Sequence, residues 1–190
     1  MQSQPTDLDL LRRARHGDGK AFHALVDRYA RTMYGLAYSL LNNAADAEDV
    51  VQETFAGAFK SLAKFEERSS VKTWLSRILV NQVAMFKRDV RAEKSQSLDA
   101  TAEVRDFGGA GGEASGGGGS ATAGVDARLD LQVALQKLSD EHRQVLVLRE
   151  LQQLSYEEIA AVLDVPRGTV ESRLHRARAE LRKSFGADFE

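Results

Sequence analysis

The chain has 190 residues, with 26 Lys and Arg against 28 Asp and Glu, a net charge of −2 and no cysteine. That length admits one or two domains, the near-neutral balance leaves polyanion binding to local patches, and the missing thiols exclude disulfides and thiolate metal sites and fit a reducing compartment. The histidines at 16, 23, 142 and 175 lack metal-ligand spacing, no apolar run nears the roughly 20 residues of a membrane span, and the N-terminus has no signal-peptide core, so a cytoplasmic protein without metal, cofactor or membrane contact is expected.

In chain order, apolar periodicity predicts helices over 8–15 and 20–41, the second with apolar residues at 22, 25, 26, 29, 33, 36, 37 and 40. Asn42 and Asn43 interrupt it. A helix over 46–64 follows, striped by Val51, Phe55, Ala58, Phe59 and Leu62. Residues 65–70, FEERSS, read as a polar loop, and 71–91 as a further helix with Trp74, Leu75, Ile78, Leu79, Gln82, Val83 and Phe86 on one face. The charges are segregated. Between 42 and 55 there are four acids and no Lys or Arg, whereas between 60 and 94 there are nine bases and four acids. An acidic face beside a basic one suggests one basic partner and one polyanionic partner. Acids at a helix start also complement the macrodipole, and Phe65, Trp74 and Phe86 suit a core as well as they suit stacking on single-stranded DNA.

Residues 108–124, GGAGGEASGGGGSATAG, hold nine glycines in seventeen positions. Nothing there buries enough apolar surface to offset ordering entropy, so a flexible tether is predicted. Helices are expected over 126–138 and 140–151. Ser155 with Glu158 three residues on forms a capping box, and Ile159, Ala160 and Leu163 share the face of the helix it opens. Asp164, Val165 and Pro166 break that helix, because a residue before proline disfavours the α region. Thr169 and Val170 open another, whose buried stripe is Val170, Leu174, Ala177 and Leu181. From 164 to 183 there are six bases and three acids, a more lopsided ratio than i,i+4 pairing on a solvated face gives. This is a helix-turn-helix pattern whose second helix would enter the major groove of duplex DNA. Alternation of strand length is missing. The expected fold is all-α, with helical domains at 8–94 and 126–185 joined by a Gly-rich linker at 95–125.

Three blocks, DAEDVVQETF (46–55), VKTWLSRILVNQV (71–83) and LSYEEIAAVLDVPRGTVESRLHRARAELR (154–182), resemble in order and spacing an extracytoplasmic-function sigma factor of bacterial RNA polymerase. The resemblance implies a monomer that binds core polymerase and directs promoter-specific initiation, with no catalytic chemistry of its own. It implies polar contacts from Asp49, Gln52 and Glu53 to the coiled coil of the largest subunit, with Val50 and Phe55 shaping that surface, and contact of the second domain with the polymerase flap. It implies a pocket for one flipped base of the minus-ten element, made by Glu66, Glu67, Arg68, Ser69, Ser70, Val71 and Lys72 ahead of Trp74. Asn81, Lys87, Arg88 and Arg91 would lie along that strand. It places Arg167, Thr169, Glu171, Ser172, Arg173, His175, Arg176 and Arg178 at or near the minus-thirty-five duplex, and it allows an anti-sigma protein as a further partner.

The chain departs from the family in places. Met85 stands where many members carry Asp, and Glu171 where a base is common; glutamate accepts from cytosine N4 but cannot bind phosphate. The tether is also longer and richer in glycine than the family segment. Two other classes compete. A stand-alone helix-turn-helix regulator leaves the 46–55 and Trp74 blocks without a role and needs a dimer interface that is not evident. A sigma mimic that only sequesters an anti-sigma factor has no need of Arg173, Arg176 and Arg178.

Overall fold

The computed structural model describes residues 5–100 and 131–186. The tether and the beginning of the helix expected from 126 lie outside these residues. Helix α1 (Asp7–Arg15) is opened by a capping box between Thr6 and Asp9 and buries Leu10, Leu11 and Ala14. Gly17, at φ 92°, turns the chain. Asp18 then caps α2 (Gly19–Leu41) by accepting from the Lys20 and Ala21 amides at 3.0 and 3.1 Å. The two asparagines that interrupt the apolar pattern divide the work of the next turn. Asn42 takes the left-handed conformation that closes α2, and Asn43 caps α3 (Ala44–Ser61) through the amides of Ala45 and Asp46.

Helix α3 tightens into one 3-10 turn, Leu62–Lys64, before the polar loop. Its buried stripe is Ala47, Val50, Thr54, Phe55 and Ala58. Phe59, expected in that stripe, is 56% exposed and packs edge-on against Phe22, with ring centroids 5.1 Å apart. The stripe is thus rotated toward Val50 and Thr54. Helix α4 (Val71–Ala100) runs past residue 91 and through residues expected to belong to the linker. No proline or glycine occurs between Val71 and Phe107 to stop it.

The second half consists of a helix α5 over 131–137, α6 (Asp140–Glu150), α7 (Tyr156–Leu163) and α8 (Arg167–Gly186). Ser155 and Glu158 form their capping box, and Asp164 closes α7 in the left-handed region. Val162, with Ile159, fills the core side of α7, while Ala160 and Leu163 are half-buried. Helix α8 starts at Arg167, two residues before the expected opening, and buries Val170, Leu174 and Ala177.

The two halves pack against each other, α4 on α7 and α2 on α6, and share one apolar core. Buried Arg143 ties them together. Its guanidinium donates to the carbonyls of Leu135 (2.8 Å), Gln136 (3.0 Å) and Leu138 (3.0 Å) at the end of α5, and to Leu40 (3.2 Å) near the end of α2. Helix-end carbonyls of α5 and α2 thereby share one donor, with Leu135 also accepting from the Leu138 amide at 3.2 Å. Gln152 donates to the Thr32 carbonyl at 3.3 Å, and the Thr73 hydroxyl donates to Glu158 at 2.8 Å.

Candidate polymerase and nucleic-acid interfaces

The α3 surface separates the residues that sequence reasoning grouped together. Asp49, Gln52 and Glu53 are exposed, whereas Val50 and Phe55 are 3% and 9% exposed and belong to the core. Val50 packs α3 onto the bundle and contributes to the floor of the groove beside Asp49 and Glu53. A groove of about 490 Å³ between α2 and α3 presents further apolar surface. It is lined by Val26, Ala30, Tyr34, Val51 and Phe55 and rimmed by Arg31, Glu48 and Gln52. Toward α4, Asp49 and Glu53 share a smaller groove, of about 160 Å³, with Val50, Gln82, Met85, Phe86 and Asp89. The α2 contribution was missed in the sequence. Its signal was an apolar arc too wide for one buried stripe, since Val26 and Ala30 lie beside the Leu25, Met33 and Leu36 face.

The loop after α3 and the first turns of α4 enclose a cavity of about 580 Å³. Glu66, Arg68 and Ser69 line it, together with Trp74 and Asn81 of α4. Phe65 is buried beneath Trp74, the rings 4.9 Å apart and tilted by 47°. The other expected loop residues build the cavity without lining it. Glu67 sits in the left-handed region at φ 59° and turns to Arg12, accepting from Nε at 3.2 Å and Nη2 at 2.6 Å, with Arg15 3.8 Å away. The Arg12 hydrogen bond holds the Glu67 carboxyl below the usual glutamate range. Ser70 accepts from the Thr73 amide at 3.0 Å at the start of α4, and Val71 is buried. Lys72 is half-buried and does not line the cavity. Ser61, Lys64 and Arg77 do line it and were not anticipated. Arg77 was findable, because positions 74, 77 and 81 recur at i, i+3 and i+7 on one helix face.

Further along α4, Lys87 pairs with Asp140 of α6 at 2.6 Å and Arg91 lies 3.9 Å from the same carboxylate, while Arg88 is exposed. Burial alone would raise the Asp140 pKa, but the Lys87 hydrogen bond and the charges of Lys87, Arg143 and Arg91 outweigh it and keep the group below its ordinary value. Glu158 is likewise held down, first by the Ser155 amide and then by the Thr73 hydroxyl, against an opposing push from burial. The far wall of the cavity is α7 itself, through Ala161 and Val162.

The outward face of α8 carries Arg167, Glu171, Ser172, His175, Arg176 and Arg178 exposed, with Thr169 and Arg173 half-buried. Arg167 bridges Glu157 (2.7 Å) and Glu171 (2.9 Å), Arg173 reaches Glu141 (2.8 Å), and Arg178 reaches Glu150 (2.8 Å). The Ser172 hydroxyl donates to the Thr169 carbonyl at 3.0 Å. His175 and Arg176 make no hydrogen bond or ion pair among the described residues and point to solvent. Arg173 and Arg176 are thus unequal, one neutralised by its neighbour and one free.

Residues 25–93 match the family model of Sigma-70 region 2, and residues 128–181 match that of Sigma-70, region 4. Two helical units with these matches, in this order, define a sigma subunit of RNA polymerase. The ECF RNA polymerase sigma-E factor of Escherichia coli is 39% identical over 180 residues, covering 94% of this chain and 93% of its own. The RNA polymerase sigma-H factor of Pseudomonas aeruginosa is 34% identical over 194 residues, covering 97% and 96%. Among solved structures, CnrH in complex with the cytosolic domain of CnrY aligns with a TM-score of 0.67 at 29% identity, over 94% of this chain and 96% of that one. RpoE in complex with the anti-sigma factor NepR from Bartonella quintana aligns with a TM-score of 0.67 at 30% identity, over 89% and 99%. The chain belongs to the extracytoplasmic-function sigma factors, which bind core RNA polymerase and direct promoter-specific initiation. Among the described residues no helix is long and apolar enough to cross a membrane.

Proposed function

We propose that this sigma factor engages polymerase and promoter through three surfaces built from its own residues, in the cytoplasm and without catalytic chemistry of its own. Asp49, Gln52 and Glu53, with the apolar groove of Val26, Tyr34 and Val51, bind the coiled coil of the largest subunit. Glu66, Arg68 and Ser69, with Lys64, Arg77 and Asn81, receive a flipped minus-ten base, and Lys87, Arg88 and Arg91 follow the strand. Arg167, Thr169, Glu171, Ser172, Arg173, His175, Arg176 and Arg178 meet the minus-thirty-five duplex, and the second domain touches the flap. A protein partner of the anti-sigma kind is proposed on the likeness to CnrH and RpoE, whose solved structures each hold a bound protein, the CnrY cytosolic domain and NepR. The units are proposed to be 8–94 and 126–185, with α4 carrying the first one on toward Ala100.

The observation that supports this reading most is the cavity of about 580 Å³ beside Trp74, within the roughly 300–1,000 Å³ range of pockets that hold small organic groups. Unstacking a base costs a few kcal/mol, which polar contacts in such a pocket must offset. The test replaces Glu66, Arg68 and Ser69 while retaining Glu67, whose Arg12 pair fixes the loop. Transcription by the holoenzyme from a promoter library randomised at the minus-ten element should show a changed base preference at one position, by about 1–3 kcal/mol, with unchanged affinity for the upstream duplex. An identical preference in the parent and the variant contradicts the pocket assignment.

A further inference from the structure

Helix α1 lies ahead of the segment that matches Sigma-70 region 2, which begins at residue 25, and none of the three surfaces assigned above includes it. Its polar face is nevertheless turned to the loop between α3 and α4. The Arg12 guanidinium donates twice to the Glu67 carboxylate, from Nε at 3.2 Å and from Nη2 at 2.6 Å. A paired contact of this kind fixes direction as well as distance. Arg15, three residues on and therefore on the same face, lies 3.8 Å from the same carboxylate. It also donates to the carbonyls of Leu62, at 3.3 Å, and Phe65, where the 3-10 turn gives way to the loop. Two arginines of α1 thus hold the root of the loop and its middle.

The helix is a firm anchor for this. Leu10, Leu11 and Ala14 bury its other face, and a capping box opens it. Its first residue, Asp7, accepts from Arg28 and Tyr29 of α2. The loop, in contrast, needs an outside hold. Residues 65–70 contain no glycine, yet Glu67 sits at φ 59°, a conformation that persists in such a residue only where the surroundings impose it. Glu67 turns to α1, while its neighbours Glu66 and Arg68 line the base cavity. Those two side chains pair with each other at 3.0 Å and are otherwise exposed, so their placement depends on the backbone between them. The contact that fixes Glu67 fixes that backbone.

We propose that Arg12 and Arg15 are positioning residues for selection of the minus-ten base. Helix α1, the loop and the start of α4 form one reading unit, and a loop sequence expresses its base preference only together with the α1 residues that hold it. The proposal rests on the base-reading role given to the loop above.

The test uses the full-length chain as Arg12→Ala, Glu67→Ala and the double variant. The matched control is Arg13→Ala. Arg13 is the next residue on α1, is 56% exposed against 57% for Arg12, and carries the same charge, but it pairs with Asp18 at 2.7 Å. A loop variant, with Glu66, Arg68 and Ser69 all changed to Ala, reports on base reading itself. One readout is transcription by the holoenzyme from a promoter library randomised at the minus-ten element. The other is acrylamide quenching of Trp74 in the free protein. Trp74 is the single tryptophan of the chain. It is half-buried against Phe65, whose carbonyl Arg15 holds, so its quenching follows the loop without DNA or polymerase.

Arg12→Ala and Glu67→Ala should each lower discrimination at one minus-ten position about threefold to fivefold, the upper range for an exposed pair with bidentate geometry. Both should make Trp74 more accessible to quencher. The double variant should match the single ones, because partners in one contact are not additive. Arg13→Ala should change neither readout. Unchanged discrimination in Arg12→Ala overturns the proposal, as do additive losses in the double variant. An equal loss in Arg13→Ala would mean general electrostatics and would also overturn it. A change in Trp74 quenching without a change in discrimination would reduce α1 to a structural support and reject the positioning role. The loop variant separates the two levels. If it alters base preference and Arg12→Ala does not, the loop reads the base without α1. If neither alters it, the base-reading role fails and the proposal fails with it.

Discussion

Helices α4 and α8 are both basic, both lie beside acids, and both are assigned to DNA, yet their acids come from different places. Arginines 167, 173 and 178 of α8 are paired by Glu157, Glu141 and Glu150 from within the second domain. Lys87 and Arg91 of α4 are paired by Asp140 across the domain boundary. An ion pair within a domain tunes a surface that is always present. A pair across a boundary ties exposure of the surface to the relative position of the domains. Similar local chemistry therefore serves the packing of one domain in one place and the joining of two domains in the other.

The largest effect expected from this comparison concerns Arg143, the buried residue that joins α2, α5 and α6. Arg143→Ala takes the guanidinium donor from the Leu40, Gln136 and Leu138 carbonyls, while Leu135 keeps the Leu138 amide. Unfolding by urea should show a loss of about 2–4 kcal/mol, since each buried acceptor left unpaired is costly. Arg143→Lys should recover little of it, because an ammonium cannot reproduce the planar fork. A loss below about 0.5 kcal/mol, the range of an ordinary surface substitution, would mean that the two halves do not depend on this residue, and the contrast between the helices would lose its foundation.

A smaller effect tests whether α8 reads or only grips. Glu171 pairs with Arg167 on its own helix at 2.9 Å, so in the free protein it is engaged. If promoter DNA draws it to a cytosine, Glu171→Ala should relax preference at one base pair by about 1–3 kcal/mol. Arg176→Ala, at an exposed cation without a partner, should weaken binding to all duplexes alike and lower the salt slope by about one unit. Binding to single-base-pair variants at two salt concentrations separates these outcomes. A flat profile for Glu171→Ala would reduce it to a counter-ion of Arg167.

Much of this was legible in the residues. The Ser155–Glu158 capping box, the proline break and the stripe of Val170, Leu174 and Ala177 are local signals, and local chemistry decides them. The Asn42–Asn43 interruption was visible too, although its division into a cap for one helix and a cap for the next was not. What escaped was decided by distant neighbours. Phe59 lies at the edge of an apolar arc, and only the position of Phe22 settles which way it faces. Nothing in the residues around Arg143 marks it as buried, because its partners are carbonyls up to 103 positions away. The contacts of Thr73, Gln152 and Asp140 between the two halves are polar, and hydrophobic periodicity carries no information about polar contacts. The candidate site shared this limit. The loop sequence indicated where the cavity is, but the assignment of Glu67 and Ser70 to building it and of Arg77 to lining it required the backbone.

The most direct test of the difference between the two helices is to titrate the full chain with minus-ten single strand and with minus-thirty-five duplex, each in the absence and presence of core polymerase. Polymerase should raise affinity for the strand by far more than affinity for the duplex, because Lys87 and Arg91 of α4 are paired across the domain boundary, whereas the ion pairs of α8 lie within its own domain. Equal gains on the two probes would contradict the account.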